Sequence, residues 1–390
     1  MGAFDPELED LVRRLNAERP GSSAHASALV AAPEPPEIDA AASAERLEAL
    51  DRLLRRAAEA GASDLLLTAG SPPTLRVQGL LRRERGEPLS ATEVRALTMP
   101  LLDAQTAERL RERLSVDFSF SRSGLGRFRA NLHFQRGTLA AALRVLPREI
   151  PTLEALHLPP SLGELAERPN GLILVTGSAG SGKTTTLAAL IGRINRRRAC
   201  HVITIEDPIE YDHVNDQALI EQLDVGRDVL SFAEALRSAL RQSPDVILVG
   251  EMRDRETMAA ALTAAETGHL VFATLHTNDA VRAIGRIIDA FPADQHGQVR
   301  QQLSLSLAAV IAQRLAPSVD GRSRYPAVEL LINTPAVANL VRRGEDHLLR
   351  SQLSLGRAQG MVAMEDSLAK LAQAGRISEE TVRAYAPRTE

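Results

Sequence analysis

A chain of 390 residues with 44% hydrophobic content is long enough for two or three cores, since single cores stop growing near ~250 to 300 residues, and a single compact domain is not expected. Its 46 basic and 50 acidic residues nearly cancel, so it lacks the strong overall positive field of a nucleic-acid binder, and no nucleic-acid partner is expected. One cysteine, Cys200, excludes an intramolecular disulfide and a thiolate zinc cage.

The acidic opening MGAFDPELEDL lacks the basic-then-apolar layout of a signal peptide, and no apolar run approaches the ~18 to 20 residues of a membrane helix. A cytoplasmic chain is expected, with no direct membrane insertion and any membrane role exercised through a partner. Leu8, Leu11, Val12 and Leu15 recur at helical spacing, but the stretch that follows is Ala, Ser and Pro without a period. Such a composition buries too little to offset chain entropy, so residues 1–43 read as a flexible leader.

From Glu45 the residues Leu47, Leu50, Leu54, Ala57 and Ala58 follow the helix period, and Gly61 supplies a left-handed stop. Strands are expected at Asp64 to Thr68 and, past Pro72-Pro73, at Thr74 to Gly79. Ser90 with Glu93 forms a capping box, and Phe128, Ala130, Leu132 and Phe134 alternate as in a half-buried strand. Residues 44–147 therefore read as a small α+β domain, and the proline-rich stretch 148–160 as a linker over the surface.

Residues 161–390 change texture. Apolar strands at Leu172 to Thr176, Val202 to Ile205, Val246 to Val249 and Leu270 to Thr274 alternate with helical patterns, which indicates a parallel sheet buried on both faces. Helices are expected to dominate from about Asp279 onward.

Gly177, Ser178, Ala179, Gly180, Ser181, Gly182, Lys183 and Thr184 fit G-x-x-x-x-G-K-[ST], with an apolar strand before and a helical run from Thr185 to Asn195 after. The glycines let backbone N–H groups converge on phosphate oxygens, the helix N-terminus adds partial positive charge, and Lys183 offers a point charge to the β and γ phosphates. ATP is thus the expected ligand, bound by residues 177–185, with the Thr184 hydroxyl on Mg²⁺. Two acidic stretches, Glu206 to Glu210 and Gly250-Glu251, each follow an apolar strand, at the strand ends where doubly wound sheets bind ligands. Arg193, Arg196, Arg197 and Arg198 crowd one helix end, where they complement its dipole.

ITIEDPIEY, LVGEMRD and TAAETGHLVFATLHTND resemble the Asp box, Walker B box and His box of secretion and pilus ATPases, in that order behind the P-loop. SDLLLTAGSPPTLRVQG and GRFRANLHFQR extend the likeness, which covers roughly residues 45 to 385 and points to the retraction branch, PilT/PilU, of the type II/IV secretion ATPase superfamily. The resemblance implies an α/β fold: a RecA-like P-loop motor domain with a mainly parallel sheet, preceded by a PAS-like α+β domain. It implies an ATPase motor for type IV pilus retraction and twitching motility, forming a hexamer and acting with an inner-membrane platform protein, in some cases with a second retraction ATPase.

By the same resemblance Glu210 polarises the attacking water, Glu251 holds Mg²⁺ through its water shell, and Arg129 and Arg144 reach the nucleotide from the first domain. Arg241 is a further candidate for a neighbour's nucleotide, and His276 is read as a coupler between phosphate state and domain position, with a core histidine as the rival reading. The sequence also departs from the branch. Its AIRNL motif appears as Ala336-Val337-Ala338-Asn339-Leu340 without the arginine, Leu66 stands where a histidine is common, and Ser178 replaces a usual proline. The four zinc cysteines usual in extension motors are absent, which favours retraction, while VELLINTPAVANLVRRGE leans toward the accessory paralogue.

Overall fold

The structure is a computed structural model that describes residues 40–387 except 78 and 148. The early helical spacing at Leu8 to Leu15 lies outside the described residues, as does the rest of the leader up to residue 39. From Glu45 onward the chain forms one compact unit built on two sheets.

The first sheet has six antiparallel strands in the order β3-β2-β1-β6-β5-β4. They are β1 (Ala62–Thr68), β2 (Thr74–Val77), β3 (Leu80–Arg83), β4 (Ser115–Arg122), β5 (Gly126–Gln135) and β6 (Thr138–Val145). Helices α1 (Ala40–Glu59), α2 (Ala91–Thr98) and α3 (Ala104–Arg113) accompany them. Leu50, Leu54 and Ala57 of α1 share one helical face and are fully buried in a core with Phe128, Leu132 and Leu143. Ser90 caps α2 reciprocally with Glu93, as the spacing predicts. Of the alternating apolar residues of β5, Phe128, Ala130 and Leu132 are buried, but Phe134, at the strand end, is 38% exposed.

The second sheet has seven strands, β13-β12-β7-β11-β10-β8-β9, parallel except for the β12–β13 pair. Its strands are β7 (Gly171–Thr176), β8 (His201–Glu206), β9 (Leu219–Asp224), β10 (Val246–Val249), β11 (Leu270–Leu275), β12 (Leu307–Pro317) and β13 (Arg324–Ile332). Along β7, Leu172 and Leu174 join one core, whereas Ile173 and Val175 join another with Leu187, Leu190 and Ile194 of α5 (Lys183–Arg197). Apolar residues at every position therefore reflect burial on both faces. The opposite face is covered by α6 (Phe232–Ala239), α7 (Arg255–Glu266), α8 (Ala280–Asp289) and α9 (His296–Ser306).

Helices do dominate after Asp279, but not without interruption: LAAVIAQRLAP and RYPAVELLI form the long antiparallel pair that completes the sheet. A short apolar run has the same local pattern whether it is a buried strand or a buried helix, and here pairing with β7 decides for strand. Helices resume with α10 (Pro335–Arg343), which carries the AVANL segment, and α11 (Leu349–Leu355), α12 (Met364–Gln373) and α13 (Glu379–Tyr385). The proline-rich stretch also does more than lie over the surface, because Leu153 and Leu158 insert beside Leu162 and Ile191 of the motor core.

Among the described residues no helix is long and apolar enough to cross a membrane. Because Leu158 is a core residue, Leu158→Ala should lower unfolding stability by about 2 to 4 kcal/mol, measured by denaturant titration; a change within error would show that the stretch is only draped on the motor.

Candidate nucleotide site

The C-terminal ends of β7, β8, β10 and β11 lie side by side, and each releases a loop that lines one cleft of about 360 Å³. After β7 comes the glycine-rich turn. Gly177 has φ +150°, and a Cβ there would overlap the Gln313 carbonyl oxygen and Ser181 Oγ. Gly182 has φ +87°, with Gln313 Nε2 at 2.8 Å from where a Cβ would stand. The turn is thus drawn tightly against β12, and Gln313 secures it: Nε2 donates to Ser181 O at 2.8 Å, while Oε1 accepts from Thr186 Oγ1 at 2.8 Å.

Lys183 begins α5 and curls back over the loop, donating to Gly177 O at 2.7 Å and Ser178 O at 3.1 Å. Burial depresses its pKa, partly offset by the Glu251 carboxylate. Thr184 lines the cleft, and Thr185 Oγ1 meets Tyr211 OH at 3.0 Å. Ser181 Oγ is buried and has no partner among the described residues. A loop of convergent backbone with a poised cation and an unpaired hydroxyl fits a polyphosphate. Mg²⁺ fits too: a hydroxyl at Thr184 and a carboxylate at Glu251 suit an ion that keeps much of its water. No cluster of three His, Cys, Asp or Glu side chains able to hold a metal occurs among the described residues, so such an ion would lean on phosphate oxygens.

Glu251, just past β10, is held by two neighbours. Arg253 Nη2 lies 2.8 Å from Oε2, and His276 Nε2, past the end of β11, lies 3.1 Å from Oε1. Burial pushes the carboxyl upward, but Arg253, His276 and Lys183 together hold it below the usual range. Arg253 also reaches Asp207 at 3.6 Å, linking the Walker B box to the Asp box. Gly250, just before Glu251, has no room for a side chain without crowding Ile205 O at 3.0 Å.

Glu210 faces the cleft from the loop after β8. Its neighbour Glu206 is part-buried as a residue, with its carboxylate turned inward, accepting from Thr204 Oγ1 at 2.7 Å and Gln222 Nε2 at 3.2 Å. Burial of that carboxylate raises its pKa to about 7, against the lowering effect of these hydrogen bonds.

The first sheet supplies the remaining wall. Arg129 of β5 and Arg144 of β6 both line the cleft, and they are register partners on adjacent strands. Like charges directly opposite each other on a sheet repel. Asp64 offsets part of this at 3.0 Å from Arg144, and Asp117 stands 3.9 Å from Arg129. An anion in the cleft would relieve the rest.

Residues 179, 180, 183, 184, 210 and 251, Arg129, Arg144 and His276 all line this cleft. Arg241 is not among them: it is exposed and caps its own helix end through Arg237 O. The arginine crowd at the end of α5 is tied up locally, Arg193 and Arg197 on Glu167 and Arg198 on the Ala166 carbonyl. His269 sits at the other end of β11, bonded to Ala264 O. Sequence reasoning missed Arg253 and Gln313. Arg253 was signalled by its place in GEMRD, whereas nothing local marks Gln313.

A P-loop on a mainly parallel sheet, with acids at neighbouring strand ends, defines a nucleotide-binding protein of the RecA-like P-loop class. Residues 137–381 match the family described as type II/IV secretion system protein, and the chain belongs to that family. The type IV pilus ATPase PilU of Pseudomonas aeruginosa is 44% identical over 336 residues, 86% of this chain and 88% of that protein. The type IV pilus retractation ATPase PilT of the same organism is 45% identical over 334 residues, 86% of this chain and 97% of that protein. A crystal structure of the pilus retraction motor PilT with bound ADP is similar at TM-score 0.81 and 46% identity, covering 86% of this chain and 96% of that one. The Legionella pneumophila ATPase DotB is more distant, at TM-score 0.76 and 28% identity over 90% and 97% of the two chains. The family and fold expected from the motifs are the ones found.

Glu206 generates a pH prediction. Its pKa rises from 4.5 to about 7 on folding, so across that window the native state holds the extra proton, and this residue's contribution to stability falls as pH rises. Glu206→Gln removes that dependence. Its melting temperature relative to the parent should therefore climb between about pH 5 and about pH 8; a constant difference would show that the carboxylate is not titrating there.

Proposed function

We propose that this chain is an ATP-hydrolysing motor that drives retraction of type IV pili, working as a closed hexamer. The observation that carries the reading is the convergence on one cleft of Lys183, Glu210 and Glu251 from the motor sheet with Arg129 and Arg144 from the other sheet. Hydrolysis needs a phosphate cradle, an acid beside the attacking water and cations at the developing charge, and these residues supply all three.

On this reading residues 177–185 hold ATP, with Lys183 leaving its two loop carbonyls for the β and γ phosphates. Thr184 and, through water, Glu251 hold Mg²⁺, which neutralises phosphate charge when bound. Glu210 orients and polarises the water. Arg129 and Arg144 stabilise charge from the first sheet, so turnover depends on how residues 44–147 dock on the motor, 161–390, through the 148–160 stretch. His276, already on Glu251, exchanges that contact as the phosphate state changes.

The wider assignment rests on the retraction ATPase relatives. A ring leaves no heterologous interface unpaired. The chain would act in the cytoplasm at the inner membrane, through the pilus platform protein. A second reading, an accessory retraction ATPase working with another motor, is favoured by AVANL, in which Ala338 occupies the arginine position of AIRNL.

Lys183→Ala should abolish tight ATP binding in a folded protein, and Glu210→Gln should keep binding while losing about 10² or more of turnover, read by equilibrium binding and steady-state phosphate release. Full turnover in Glu210→Gln with a dead Glu206→Gln would move the catalytic role to Glu206. In cells, a deletion strain should carry pili that extend but retract poorly, scored by pilus counts and tethered-bead pulling. A bald strain would mean an assembly motor, and an unaltered one a redundant or different role.

A further inference from the structure

We infer that Arg127 is a positioning residue through which docking of the first sheet sets the place of Glu210; this rests on the reading of Glu210 as the water-polarising acid. Arg127 lies on β5 two residues before Arg129, but it does not line the nucleotide cleft. Its side chain is 14% exposed and spends all three guanidinium nitrogens at the junction of the two sheets. Nε donates to Ile209 O at 3.0 Å, Nη1 to Asp212 Oδ1 at 2.8 Å and Nη2 to Ser119 Oγ at 2.8 Å. Ser119 Oγ in turn donates to Asp224 Oδ2 at 3.2 Å, an oxygen 3.8 Å from Arg127 Nη2.

The consequence lies in the backbone around Glu210. The carbonyl before it, Ile209 O, is held by Arg127 from the first sheet. The carbonyl after it, Tyr211 O, is held at 2.8 Å by Gln222 Nε2 of β9 in the motor sheet. Gln222 also accepts from His213 N at 2.8 Å. Glu210 therefore stands between two clamps from different sheets, and both contribute to placing its carboxylate. If the first sheet separates, Arg127 leaves with it and the loop keeps only the motor-side clamp. The arginines that stabilise charge and the acid that polarises water would then be set and unset by one motion. A lysine cannot replace the clamp, since one ammonium lacks the planar fork that spans three acceptors.

The test uses the full chain. Arg127→Ala should lower kcat by roughly 10- to 100-fold, the scale of an ångström-sized misplacement, with equilibrium affinity for a non-hydrolysable ATP analogue changed less than about threefold. Because Arg127 acts through Glu210, adding Arg127→Ala to Glu210→Gln should cost less than about twofold more. Arg127→Lys, which keeps a cation near Asp224, should show the same pattern and carries the test if the alanine variant does not fold. Parental kcat in folded variants, parallel loss of kcat and affinity, or the same loss in both backgrounds would overturn the inference. Glu210→Gln with parental turnover would instead overturn the reading of Glu210, and this inference with it.

Discussion

The close approach of β12 to the glycine-rich turn is the constraint on which the site depends. Gln313, almost fully buried, occupies the space that side chains at Gly177 and Gly182 would need, and it bonds the loop at Ser181 and the helix at Thr186. The turn is thereby held from outside as well as by its own glycines, which fixes where its N–H groups converge and where α5 begins. A loop pre-set in this way spends little ordering entropy when an anion arrives. β12 is itself buried, between β7 and β13.

Around that loop the charges are paired with each other. Glu251 is shared by Arg253 and His276, Arg253 is shared with Asp207, and Lys183 rests on two carbonyls of its own loop. Two of these groups, Glu251 and Lys183, are ones that a metal or phosphate would also engage. A ligand that takes Glu251 would compete with Arg253 and His276, and Arg253 also pairs with Asp207 in the loop that bears Glu210.

Much of the molecule was legible in local pattern. Strands of largely apolar residues predicted a sheet covered on both sides, and Leu172 to Val175 do alternate between two cores. The capping box at Ser90 and the stop at Gly61 depend on neighbours within four residues and were read directly. The run LAAVIA carries no local mark of its state, because alanine and leucine suit a helix as well as a buried strand, and only the ladder to Leu172 through Thr176 separates them. Leu153 and Leu158 were hidden among prolines, which signal a loop but say nothing of what the loop's leucines touch.

The sequence by itself determined the chemistry available: a phosphate loop whose glycines, lysine and threonine must be contiguous, and acids that must follow strands. Those requirements act over a few residues, so spacing alone expresses them. Only the tertiary structure decided which distant groups share that chemistry. Arg129 stands opposite Arg144 by strand register, Arg127 reaches Ile209 across 82 residues, and Gln313 meets Ser181 across 132. Contacts of that kind have no period in the chain, because register and sheet order, not neighbouring residues, bring their atoms together.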